Sequence, residues 1–122
     1  MRLDRNAVAS GPVIAGFSGS GFRIDDNVYR ALLLTPARAD GWEPPAIAAL
    51  SEGDVAAVLD PAPEFLLLGT GATLVRPPPA FVNALEGRGI GVEAMDSRAA
   101  ARAWGMLRAE GREIAAALYP LD

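Results

Sequence analysis

Between Phe65 and Ala109 the chain reads strand, helix, strand, helix, and this alternation limits the fold more than any other feature. Phe65 to Leu68 is an apolar run without polar interruption, the pattern of a strand covered on both faces. Pro77 to Pro79 open a helix, because proline is tolerated in a first turn. Phe81, Val82 and Leu85 line its inner face, and Gly87 and Gly89 end it. Ile90 to Met95 is the next strand. Asp96 or Ser97 then caps a helix that runs to about Ala109, with Ala99, Ala103, Met106 and Leu107 facing the core. Strands and helices in this order predict parallel strands joined by right-handed crossovers. The loops after Leu68 and Met95 then leave the same edge of the sheet, where open α/β sheets hold their ligands. That rim collects Gly69, Thr70, Gly71, Arg76, Asp96 and Ser97, with Arg98 or Arg102 within reach from the following helix.

The flanking segments are read around this unit. Val13 to Phe17 and Phe22 to Ile24 form a hairpin or meander broken at Ser18–Gly21, and Asp25-Asp26-Asn27 has the chemistry of a tight reversal. Val28 to Thr35, with three leucines in a row, reads as one buried strand, and Pro36 to Pro45 as a loop holding Gly41 and Trp42. Ala46 to Leu50 makes a short helical turn. Ser51 with Asp54 three residues on is a capping pattern, and Val55, Val58 and Leu59 continue at helical spacing until Pro61 and Pro63 stop it. Arg112 to Pro120 is ambiguous. Alternation puts Ile114, Ala116 and Leu118 on one face of a strand, but its alanines favour a helix.

Composition excludes several chemistries. The 122 residues suit a single domain, with residues 1–12 as a poorly ordered extension and 13–122 as the folded unit. Half the residues are hydrophobic, yet no run approaches the ~20 residues that cross a bilayer. No signal-like apolar stretch follows the basic N-terminus, so the expected location is the cytoplasm. There is no cysteine and no histidine, and every basic residue is arginine. Thiolate metal sites, an imidazole base, a Schiff-base lysine and a Walker lysine are thereby excluded. The arginine-only, alanine-rich composition reads as the mark of a GC-rich genome rather than of a function. A net charge of −4 argues against nucleic acid as a partner.

Three constellations invite a chemical reading. GTGATL, Gly69 to Leu74, carries the first two glycines of a dinucleotide fingerprint, and Glu93 and Asp96 lie near the distance of the ribose-binding acid. Leu74 stands where the third glycine belongs, and LVRPPP replaces the immediate helix, so a structural loop is the better reading. A small anion held by the Gly69–Gly71 amides and Arg76 is the alternative. GFSGSGF, Gly16 to Phe22, reads as a hairpin bend. In DSRAAARAWGMLRAEGRE, Arg98 and Arg102 share one helix face that reads as solvated. Gly105 marks close packing or an irregularity, at a cost of about 1 kcal/mol relative to alanine. Glu110 and Arg112 are placed to form an ion pair near the helix end.

The run FRIDDNVYRALLLTP, then Trp42, then EFLLLGTG, then GIGVEAMDSRAAARAWGMLRAEGREIAAALYP resembles the Mth-type domain family. That family includes a mitochondrial complex I assembly factor, an adipogenesis-associated protein and many uncharacterised bacterial and archaeal proteins. The resemblance covers nearly all of the chain from about Val13. Gly69, Thr70 and Gly71 match its GTG, Asp96 its acidic residue, and Arg102, Glu110 and Arg112 its later polar positions. Ser97 stands where the family commonly has threonine, and Trp104-Gly105 replaces its usual tyrosine-asparagine pair. The resemblance implies a compact three-layer α/β domain with a mixed sheet, and a strand for the final segment. Joined to the residue pattern, this gives a single domain with a central mixed, largely parallel sheet and an N-terminal β-hairpin. It implies no catalytic activity and no cofactor. Together with the lack of histidine, cysteine and lysine, the resemblance points to an adaptor or assembly factor that binds another protein, such as a respiratory complex subunit, and the rim with Thr70, Arg76, Ser97 and Arg102 is the expected interface. The alternative is a small-anion or nucleotide site, or an enzyme, at Gly69-Thr70-Gly71 and Asp96-Ser97.

Overall fold

The computed structural model describes residues 11–122. Its first elements follow from two tight reversals. Gly16–Ser18 (β1) and Gly21–Ile24 (β2) pair antiparallel across a turn in which Gly19 has φ 60°. A second reversal at Asp25, φ 54°, returns Asn27–Tyr29 (β3) onto β2. Aspartate tolerates this left-handed conformation better than most residues. The expected hairpin therefore carries a third strand.

The single strand read over Val28 to Thr35 is in fact two, which belong to different sheets. Val28 is exposed on β3, whereas Leu32–Leu34 (β4) is fully buried, so the chain bends at Arg30-Ala31 to pass from one sheet to the other. The loop read over Pro36 to Pro45 is also corrected, because it holds Ala39–Gly41 (β5), antiparallel to β4. Thr35 makes that turn: its Oγ1 accepts the N–H groups of Ala37 and Arg38 at 3.2 and 3.1 Å. The helix expected after Ser51 is a 3-10 helix, Glu52–Val58, whose entry is closed by the Ser51 N–H donating to the Asp54 carboxylate at 2.8 Å.

Phe65–Gly69 (β6), the helix Pro79–Glu86 (α1), Gly91–Met95 (β7) and the helix Ser97–Ala109 (α2) follow in the expected order. The ambiguous tail is a strand, Ala115–Leu118 (β8), inserted between β4 and β6. Among the described residues the main sheet runs β5-β4-β8-β6-β7, parallel over β8-β6-β7 and antiparallel over β5-β4-β8. Tertiary pairing on both sides overrides the weak strand preference of Ala115-Ala116-Ala117.

Alternation along the central strands feeds two cores. Leu66, Leu68, Ala115 and Ala117 pack with α1 and the 3-10 helix through Phe81, Leu85, Val55 and Val58. Leu67, Ala116 and Leu118 pack with α2 and the N-terminal sheet through Trp104, Ala100 and Phe22. The result is three layers, each leucine, valine or phenylalanine among these contributing about 2 kcal/mol when fully buried. On α2 the inward face is Ala100, Ala101 and Trp104, with Ala103 and Leu107 partly buried. Met106, expected inside, is 67% exposed. Trp104 sets this phase: it is fully buried, and its Nε1–H donates to the Pro12 carbonyl at 3.1 Å. A Cβ at Gly105 would meet nothing within 4 Å, so that glycine marks no close packing. Of the N-terminal extension expected over 1–12, residues 1–10 lie outside the described residues.

Candidate functional site

Parallel β6, β7 and β8 end at one edge, with Gly69 opposite both Met95 and Leu118. From β6 the chain crosses one face through α1 to β7. It then returns across the other face through α2 to β8, on the far side of β6. The winding thus reverses between β6 and β8, the point at which such sheets open a ligand crevice. Here the opening is filled.

Ser97 fills it. Its hydroxyl donates to the Tyr119 carbonyl and accepts the Gly71 N–H, both at 2.8 Å, and the residue is wholly buried. The Ser97 N–H in turn donates to the Gly71 carbonyl at 2.8 Å, and the Tyr119 N–H donates to the Gly69 carbonyl at 2.9 Å. Gly69 is glycine for want of room: a Cβ there would stand 2.8 Å from Ser97 Oγ and 2.8 Å from Leu118 Cδ2. Gly71 has φ 110°, in the left-handed region that favours glycine. Asp96 caps α2 by accepting the Ala99 N–H at 3.0 Å.

Thr70 shapes the outer part of the loop. Its N–H donates to the Met95 carbonyl at 2.9 Å. Its Oγ1 donates to the Thr73 carbonyl at 2.7 Å and accepts the Val75 N–H at 3.0 Å. The amides of Thr70 and Gly71 therefore already have partners inside the protein, and an anion at Gly71 would have to displace Ser97. Beyond this knot the chain emerges: Leu74 is 60% exposed and Val75 40%, and Arg76 follows into solvent.

The charged residues expected on the rim do not meet. Arg76 lies on the α1 side, where it lines an open groove of about 540 Å³ with Pro77, Pro78, Pro79, Val82 and Asn83. Arg98 and Arg102 lie exposed on α2, in the opposite layer, and the Arg98 guanidinium sits 4.7 Å from the centre of the Phe17 ring. The pair expected between Glu110 and Arg112 is replaced, since Arg112 bridges to Glu64 at 2.8 Å. The Glu113 backbone N–H, and then Arg112, hold the Glu64 carboxyl below its usual range. That pair is at the other edge of the sheet, as is an apolar-lined groove of about 340 Å³ between Thr35–Arg38 and Asp60–Pro63.

Two residues close to the edge, Tyr119 and Trp42, are not among the site residues expected from the sequence. Tyr119 donates its hydroxyl to the Pro45 carbonyl at 2.8 Å and packs edge-to-face on Trp42 at 5.2 Å. Trp42 donates its Nε1–H to the Asp54 carbonyl at 3.1 Å. Burial, with a smaller contribution from the Asp54 charge, pushes the Tyr119 hydroxyl up to about 12. Among the described residues no group of acidic side chains is placed to hold a metal ion, and no helix is long and apolar enough to cross a membrane.

Residues 14–119 match a family described as a protein of unknown function, DUF498/DUF598. The chain is 33% identical over 115 residues to a Danio rerio protein named NADH dehydrogenase [ubiquinone] 1 alpha subcomplex assembly factor 3. It is 31% identical over 110 residues to the Bos taurus protein of the same name. These alignments cover 92% and 88% of this chain, but only 66% and 60% of the relatives' own lengths. A crystal structure from Bordetella parapertussis superposes with a TM-score of 0.82 at 30% identity, over 91% of this chain and 97% of the other. A solution structure from Bordetella pertussis, described as a Mth938-like domain, superposes with a TM-score of 0.77 at 27% identity, over 89% and 85%. On sequence and on fold, this chain belongs to the DUF498/DUF598, Mth938-like family.

Proposed function

We propose that this chain is a non-enzymatic, protein-binding adaptor or assembly factor that acts from the cytoplasm on a subunit of a membrane respiratory complex. The observation that carries the reading is the kinship with proteins named complex I assembly factors. The state of the carboxyl edge supports it. Where a small-molecule crevice would open, Ser97 is buried and bonded on both sides. The composition supports it too, because carboxylates are the remaining bases for a hydroxyl nucleophile, and they are weak ones unless burial raises their pKa. In this reading Gly69, Thr70, Gly71, Asp96 and Ser97 shape the edge, and the exposed Arg76 and Arg102 touch the partner.

The test is genetic and biochemical. Deleting the chain in its source cell is expected to lower fully assembled NADH dehydrogenase on native gels and to accumulate a subcomplex. The wild-type chain restores assembly; a chain carrying Arg76→Ala with Arg102→Glu does not. Unchanged levels of the assembled enzyme after deletion would defeat the reading.

A further inference from the structure

We infer that the exposed arm of the β6–α1 loop, Leu74-Val75-Arg76, is the docking element, and that it takes an apolar, acidic segment of another protein. The inference rests on the protein-binding reading above and narrows it to one layer of the molecule. Three observations carry it. First, the arm is held in shape at its base, because Thr70 Oγ1 bonds both the Thr73 carbonyl and the Val75 N–H. A loop ordered before contact loses less entropy on binding. Second, Leu74 and Val75 are adjacent, large and aliphatic, and both reach water, at 60% and 40% exposure. Pro77, Pro78 and Pro79, which follow Arg76, line the groove beside it and lack the N–H donors that a paired strand would need.

Third, the charge of the groove selects its occupant. Arg76 is the one charged residue lining it, with no carboxylate beside it. The Arg76 side chain forms no ion pair or hydrogen bond with another described residue. On a chain whose net charge is −4, an arginine left unanswered beside two bare aliphatic side chains is complementary to an apolar residue flanked by aspartate or glutamate. Arginine is also a residue that recurs where interfaces concentrate their affinity.

The test is selection of a phage-displayed random peptide library on the immobilised full chain. The expected peptides carry Asp or Glu beside a large apolar residue. Binding of a synthetic winner falls about tenfold or more, as for a hot-spot residue, with Arg76→Glu and with Leu74→Asp. The melting temperature stays put, since both side chains are exposed. Thr70→Val, which leaves the tip chemistry intact, gives a smaller loss by freeing the arm. If no acidic, apolar motif is enriched, or if the winners bind the Arg76→Glu and Leu74→Asp chains as well as the wild type, the inference is wrong. Winners that depend on Arg102 instead would also overturn it, while leaving the protein-binding reading intact. The assembly phenotype of the deletion decides that reading separately.

Discussion

Gly69–Gly71 and Leu74–Arg76 belong to one loop, a few residues apart, yet they obey opposite rules. The inner stretch is buried, and the amides of Thr70 and Gly71 are bonded within the protein. The outer stretch is exposed, and its side chains face solvent. Thr70 joins them, with a side chain that bonds only to the loop and to the end of β7. The contrast teaches that a glycine-rich turn at the carboxyl edge of a sheet need not be a ligand cradle. It can be the fastening that lets the next few residues project in a fixed shape.

The inner stretch should break first under substitution. Gly69→Ala forces a methyl group against Ser97 and Leu118, and the expected loss is about 3 kcal/mol, the upper end for overpacking. Urea unfolding measures it. Ser97→Ala leaves the Gly71 N–H and the Tyr119 carbonyl without their shared partner. Stranded buried groups of this kind cost about 2 kcal/mol, read as a lower urea midpoint at constant slope.

Alkaline unfolding sharpens the comparison from behind the edge. The Tyr119 hydroxyl ionises near 12 in the folded chain against 10.0 in the open one. Its stabilising contribution is therefore complete below pH 10 and is lost as the pH climbs through 12. A Tyr119→Phe chain, compared by thermal melting across that window, should lose less stability than the wild type.

A second glycine supplies the contrasting case. Gly105 has open space where Gly69 has none, and Gly105→Ala should gain about 1 kcal/mol in the middle of α2. At the weak end, Leu74→Ser and Arg76→Ala should shift stability by no more than about 0.5 kcal/mol, although the assembly and peptide-binding experiments are expected to register them. A large destabilisation from either would mean that the outer arm is packed rather than presented.

The sequence made some of this legible and hid the rest for identifiable reasons. The order β6-α1-β7-α2 could be read because apolar runs, prolines and capping residues agree with one another from Phe65 to Ala109. The shared edge of Gly69 and Ser97 followed from that order. The strand β8 could not be read from Ala115-Ala116-Ala117, whose preference opposes it. Only the family resemblance implies it, and pairing with β4 and β6 is what makes it a strand. The break between β3 and β4 was hidden, because exposure of Val28 and burial of Leu32 depend on which sheet each joins. Met106 was misplaced since Trp104, fixed by a carbonyl more than ninety residues away in sequence, turns the helix. The hydroxyls of Thr70 and Ser97 were legible as polar groups at the edge. Their inward direction is not, for Ser97 is turned in by a Tyr119 carbonyl delivered by the last strand, and Thr70 by the Thr73 carbonyl and the Val75 N–H of its own loop.

Amide hydrogen exchange at Gly71 tests the fastening directly. With its N–H bonded to the buried Ser97 hydroxyl, Gly71 should exchange as slowly as the residues of β6, while Leu74 exchanges at the rate of an open loop. Exchange of Gly71 at the same fast rate as Leu74 would show that the edge is open, and would return the loop to the status of an anion cradle.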